Sequence, residues 1–127
     1  MADKENDGNA ALMGKLVMRL FDARTNAHVQ HLQARSYAVH VALGGFYDGI
    51  ASIADSIAEA WQGLYQKLLP LSNPVPLTRD PLESLRTLRA WIEANREEAC
   101  DDSEIQNLID EAMALIDSTM YKLKFLT

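Results

Sequence analysis

Four stretches of this chain place apolar residues at helical spacing, and each predicts one amphipathic helix. From Ala10 to about Arg35, Met13, Leu16, Leu20, Ala23 and Ala27 keep the spacing, with Leu12, Val17 and Phe21 widening the stripe. From Tyr37 to Leu68, Val39, Leu43, Phe46, Ile50, Ile53, Ile57, Ala60 and Leu64 recur at alternating steps of four and three, the period of an apolar seam in a helical bundle. Leu85, Leu88, Ile92 and Ala99, flanked by Leu82 and Trp91, mark a third helix over 81–99. Ile105, Leu108, Ile109, Ala112, Ile116, Met120 and Leu123 mark a fourth over 103–124. Trp61 falls beside the second seam and is expected at a helix edge or in a subunit contact. The predicted fold class is all-α, a four-helix bundle.

The junctions refine this picture. Ser36 can cap the second helix by accepting a hydrogen bond from a first-turn amide. No glycine or proline marks that junction, yet an uninterrupted helix would run about 55 residues, or ~80 Å, so two helices joined by a very short connection are expected. After Leu68, Pro70, Pro74, Pro76 and Pro81 fall within twelve positions. Proline removes a donor and biases its predecessor toward extended geometry, so this segment predicts a long crossover between the second and third helices. Asp80, Pro81 and Glu83 supply a cap, a first-turn proline and a capping-box acid for the third helix. Cys100 to Ser103 turn the chain into the fourth. Residues 1–9 are expected as a disordered tail, because they carry little apolar surface to offset ordering entropy, and residues 10–127 as a single domain.

Composition narrows the function classes. With 18 acidic against 12 basic residues the net charge is −6, so no global attraction to nucleic acid or anionic lipid is expected. No apolar run approaches a membrane span, and the acidic start MADKENDGNA lacks the pattern of a secretory signal, which predicts a cytoplasmic setting. The single Cys100 has no intrachain disulfide partner. No G-x-S-x-G elbow, glycine-rich phosphate loop or Cys–His arrangement occurs.

Candidate chemistry gathers on the second helix. At about 100° per residue, His40, Gly44, Asp48, Asp55 and Glu59 fall in a stripe roughly opposite the seam. Gly45, Gly49, Ser52 and Ser56 are read beside them, small residues that would let another helix approach closely. Glycine costs about 1 kcal/mol of helix propensity relative to alanine. An isologous dimer through this face is expected, with Gly45, Gly49 and Ser52 near the two-fold axis. For His28, His31 and His40 a solvated or structural role is the alternative to ligation.

His31, His40, Asp55 and Glu59 resemble the metal-binding signature of the Dps miniferritins within the ferritin-like superfamily. His31-Leu32-Gln33 is similar to that family's His-Trp-Asn/Gln segment, Tyr37 to His40 to its aromatic-x-x-His, and Ala54 to Glu59 to its D-x-x-A-E-R region. A further resemblance is to short phage-encoded ferritin-like proteins. The resemblance implies a ferritin-like bundle whose iron site, with manganese or zinc as alternatives, is shared between subunits and oxidises Fe²⁺ with oxygen or peroxide. His31, His40, Asp55 and Glu59 would be its ligands, with Asp48 as a substitute for the family's acidic residue, whose place is taken by Gly44. His40 and Asp55 stand about 22 Å apart along one helix, so only an antiparallel partner could bring them to one metal. The alternative is a metal-free structural or interaction module, phage or bacterial, on the same fold.

Overall fold

Helix starts form where a side-chain oxygen can take the amides that a first turn leaves unpaired. In the computed structural model, which describes residues 7–71 and 80–127, four helices follow this rule: α1 (Ala10–Gln33), α2 (Tyr37–Tyr65), α3 (Pro81–Ala99) and α4 (Ser103–Phe125). Asn9 accepts from the Leu12 amide, Ser36 from Val39, Asp80 from Leu82 and Glu83, and Asp102 from Glu104. The backbone turns extended at Ala34, so α1 and α2 are separate helices joined by three residues. Gln66 ends α2 in the left-handed region at φ 55°, and its side-chain amide donates to the Gly63 carbonyl at 2.6 Å.

α1 and α4 each pack against both α2 and α3, so the helices stand in the cyclic order α1, α2, α4, α3. Their directions follow from contacts at the two ends. The Asn9 amide donates to the Ala99 carbonyl at 3.1 Å, whereas Asn26 and Gln30, near the far end of α1, donate to the Ser84 hydroxyl at 3.2 and 3.3 Å. α1 and α3 are therefore antiparallel. Tyr65, in the last turn of α2, meets the Cys100 sulfur at 3.4 Å, which puts the finish of α2 at the end where α3 also finishes. The two ends of the bundle are thus an α1–α2 end and an α3–α4 end. The expected crossover falls on residues 72–79 and lies outside the described residues.

The core is built around α2, whose Phe46, Ile50, Ile57 and Trp61 are fully buried against Met13, Leu16, Leu20, Ile92, Ile109 and Ile116. Here the expected seam needs correcting. After Ile50 the buried line runs through Ala54, Ile57, Trp61 and Tyr65, while Ile53, Ala60 and Leu64 are half-buried. A straight helix of 3.6 residues per turn drifts about 20° per heptad from a 3.5-residue repeat, so a strict four-three reading loses the core within a few turns. Trp61, expected at an edge, sits at the centre, and its indole N–H has no acceptor among the described residues. Trp91 does lie at an edge, beneath the Arg19 guanidinium at 4.4 Å from the ring centroid.

Of the tail expected over residues 1–9, residues 7–9 are held against the bundle, since the Asn9 amide donates to the Ala99 carbonyl and Asp7 pairs with Lys67, and residues 1–6 lie outside the described residues. Beyond α2, the Leu69 amide donates to the Gln62 side chain at 2.9 Å and Leu69 is buried. The Pro70 carbonyl then lies directly over Gly14 of α1, where a Cβ would come within 1.9 Å of it. Between α3 and α4, Arg96 donates to the Gln106 side chain, the Gln106 carbonyl and Asp110 at 2.6, 3.0 and 2.6 Å. Gln106 returns bonds to the Arg96 and Cys100 carbonyls. Tyr65 remains a neutral phenol, because burial, and then its bond to Cys100, pushes its ionisation well above the usual range.

Two stability measurements check this packing. Ile57→Ala should cost about 2–5 kcal/mol in urea denaturation, and half-buried Ile53→Ala distinctly less. Gly14→Ala should destabilise by about 1–3 kcal/mol despite alanine's better helix propensity, because backbone has to move to admit the methyl group. A neutral Gly14→Ala would mean that Pro70 does not rest on α1.

Candidate functional site

Only three residues separate α1 from α2, and the last carbonyls of α1 have no intrahelical donors. His40 of α2 answers that need at one carbonyl, and His31 of α1 bonds back to α2. The His40 Nδ1 is 2.9 Å from the His31 carbonyl, and the His31 Nδ1 is 2.6 Å from the His40 carbonyl. A carbonyl only accepts, so in both rings Nδ1 carries the proton and donates, which leaves Nε2 as the accepting or ligating nitrogen. The imidazoles stack at 3.7 Å between centroids with 18° between their planes. Beside them His28 stacks on Tyr47 at 4.1 Å and 9°, and Tyr47 presents an edge to His31 at 5.2 Å. Four half-buried rings, two from each helix, thus close the α1–α2 end.

Gly44 belongs to this arrangement. A Cβ there would stand 3.2 Å from the His31 Cε1 and 3.4 Å from its Nδ1, so the imidazole occupies the space a side chain would take. The position that the miniferritin resemblance assigns to an acidic ligand is therefore a seat for His31. Tyr47 is the member that the sequence reading missed. Its signal was the spacing, since His40, Gly44 and Tyr47 share one side of α2, and His28 and His31 one side of α1.

The carboxylates lie elsewhere. Asp48, Asp55 and Glu59 are exposed on α2. Asp55 lines a shallow open groove between α1 and α2 with Phe21, Arg24, Thr25, Ala51 and Ser52. Fifteen residues separate it from His40, about 22 Å along the helix. Among the described residues no three His, Cys, Asp or Glu side chains are grouped to hold a metal ion. The structure thus brings His31 and His40 together and leaves Asp48, Asp55 and Glu59 apart from them.

The small outward residues divide. Gly45 has open space where its Cβ would be, and Ser52 and Ser56 are exposed. Gly49, expected near a two-fold axis, instead faces α4, where a Cβ would meet the Leu115 Cδ2 at 3.0 Å. At about 100° per residue Gly49 is offset by about 40° from Gly45 and about 60° from Ser52, toward the buried line of Phe46 and Ile50, which carries it from the outer face to the α4 side.

The fold and the ring cluster define an antiparallel helical bundle locked at one end by histidines. The chain belongs to a family of unknown function, DUF5856, whose model matches residues 31–123, from His31 through α2 and α3 to Leu123 in α4. No curated protein and no solved structure matches the chain. No helix among the described residues is long and apolar enough to cross a membrane.

If Gly44 seats His31, Gly44→Glu should displace the ring and destabilise the protein by about 1–3 kcal/mol, the range for overpacking. The imidazole proton resonances of His31 and His40 should lose their mutual ring-current shifts at the same time. Unchanged resonances would show that the stack does not need the glycine.

Proposed function

We propose that this chain is a self-associating four-helix bundle that binds a divalent metal between subunits. One copy would contribute His31 and His40, and an antiparallel partner Asp55 and Glu59, with Asp48 as a further oxygen donor. The observation that carries the reading is the orientation of the two imidazoles. Metal-ligating histidines characteristically donate the other ring N–H to a carbonyl or carboxylate, which fixes the tautomer, and both rings here donate Nδ1–H to main-chain carbonyls. Imidazole with carboxylates and water suits Fe²⁺, and also Mn²⁺ or Zn²⁺. The donors of one chain are too far apart to share a metal, so the fit depends on the second copy. The exposed face of α2, with Gly45, Ser52 and Ser56, would allow that copy to approach.

A second reading rests on the same rings. Their hydrogen bonds cap α1 and tie it to α2, and Gly44 seats His31, so both histidines have a structural task in a metal-free interaction module. Anaerobic Fe²⁺ titration separates the two. The metal reading expects at least one ion per subunit and affinity reduced at least about tenfold by Glu59→Ala, whose exposed side chain plays no part in the lock. The rate of Fe²⁺ oxidation by oxygen or peroxide should fall in parallel. Binding no greater than in a protein-free control, or an unaffected Glu59→Ala, would leave the interaction module.

A further inference from the structure

Among the described residues, charge is unevenly shared between the two ends of the bundle. The half nearer the α3–α4 end, residues 7–21, 52–71 and 90–113, carries eleven carboxylates against four lysines and arginines. The half nearer the α1–α2 end, residues 22–51, 80–89 and 114–127, carries five against six. Most exposed large apolar side chains are distributed in the opposite sense, Leu68 and Leu71, exposed by 82% and 55%, being the two at the α3–α4 end. Leu32, Tyr37 and Val41, exposed by 70%, 82% and 51%, lie in the last turn of α1 and the first two turns of α2. Tyr121, Phe125 and Leu126, exposed by 55%, 65% and 55%, lie at the end of α4, which the antiparallel order brings to the same end.

From this we infer that the α1–α2 end is a homotypic contact surface, whose occupant is the same end of a second copy. Area supports a stable contact. An aromatic side chain can bury about 150–250 Å². Three largely exposed aromatics with Leu32, Val41 and Leu126 therefore offer on the order of 600–800 Å². That approaches the ~800 Å² per partner of a standard interface and lies at or above the 300–600 Å² of the largest apolar patch on a typical monomer.

Charge selects the occupant. Two near-neutral ends can meet without net repulsion, and an end-to-end pair keeps the acidic halves farthest apart, well beyond the ~10 Å over which salt lets charges interact. An anionic surface is a poorer match, because the cations of this end are interspersed with carboxylates. Arg89 holds Asp117 at 2.6 Å, which raises its own ionisation through that hydrogen bond, and Arg86 is 3.9 Å from Glu83. This contact is distinct from the α2 face of the proposed metal site and does not depend on metal.

Sedimentation velocity on the full chain across the micromolar range, without added metal, tests it. Wild type should associate, and the association should persist in high salt because it is apolar. Leu32→Ser/Tyr37→Ser should weaken it at least about tenfold with unchanged helical circular dichroism, as truncation of central aromatic anchors does. Phe125→Ser, a substitution at the end of α4 and outside the cluster of histidine rings, should weaken it in the same direction. Ser52→Arg, on the outer face of α2, should leave this contact intact, so its effect reports only the other interface. A wild type that stays monomeric overturns the inference, as does a double variant that sediments like wild type. A monomer that co-floats with phosphatidylserine–phosphatidylcholine vesicles overturns it in favour of a membrane surface.

Discussion

A helix that stops within three residues of the next one leaves its last carbonyls short of intrahelical donors, and at the end of α1 only the Ala34 amide, at 3.4 Å from the His31 carbonyl, continues the pattern. Here one imidazole, His40, donates to the His31 carbonyl in the last turn of α1, and the other, His31, donates back to the His40 carbonyl of α2. The exchange fixes the relative height of α1 and α2, and with it which side of each helix meets the core. Phe46 and Ile50 can then close over Leu16 and Leu20 without a longer loop to adjust their register. The glycine at position 44 follows from the same requirement, because a ring lying flat against α2 leaves no space for a side chain.

The structural task of these histidines and the metal ligation proposed for them do not compete for the same atom. Main-chain carbonyls engage Nδ1, and any ligand would engage Nε2. A lock of this kind holds two imidazoles in place before anything binds, so the entropy of ordering them belongs to folding and is not charged to binding. The same geometry therefore serves the helix junction and would present a donor pair wherever carboxylates from a second copy came within reach.

Much of this architecture was legible in the residues. Ser36 and Asp80 announced helix starts because their oxygens reach first-turn amides, and the burial of Leu85, Leu88 and Ile92 followed from simple spacing. Less legible was the line of the α2 seam, where small angular drift moves Trp61 and Tyr65 inward and Ile53 and Leu64 outward. Gly49 was misread for a related reason, since sequence spacing gives a residue's angle on its own helix but not where the neighbouring helices stand. The seat beneath His31 could not be read at all. A glycine on an outward stripe signals close approach, and only the packed structure shows whether the approaching group is another chain or a ring from the preceding helix.

The two ends of the bundle also differ in how much chain they close. At one end His31 and His40 are partners nine residues apart. At the other the Asn9 amide bonds the Ala99 carbonyl, which closes a loop from residue 9 to residue 99 in a single contact. Loop-closure entropy grows with the length enclosed, and contacts of high sequence separation tend to form late. The α1–α2 lock and the Arg96–Gln106 bonds between α3 and α4, ten residues apart, are thus the contacts that cost little loop entropy, and the N-terminal clasp is the one that closes a long loop.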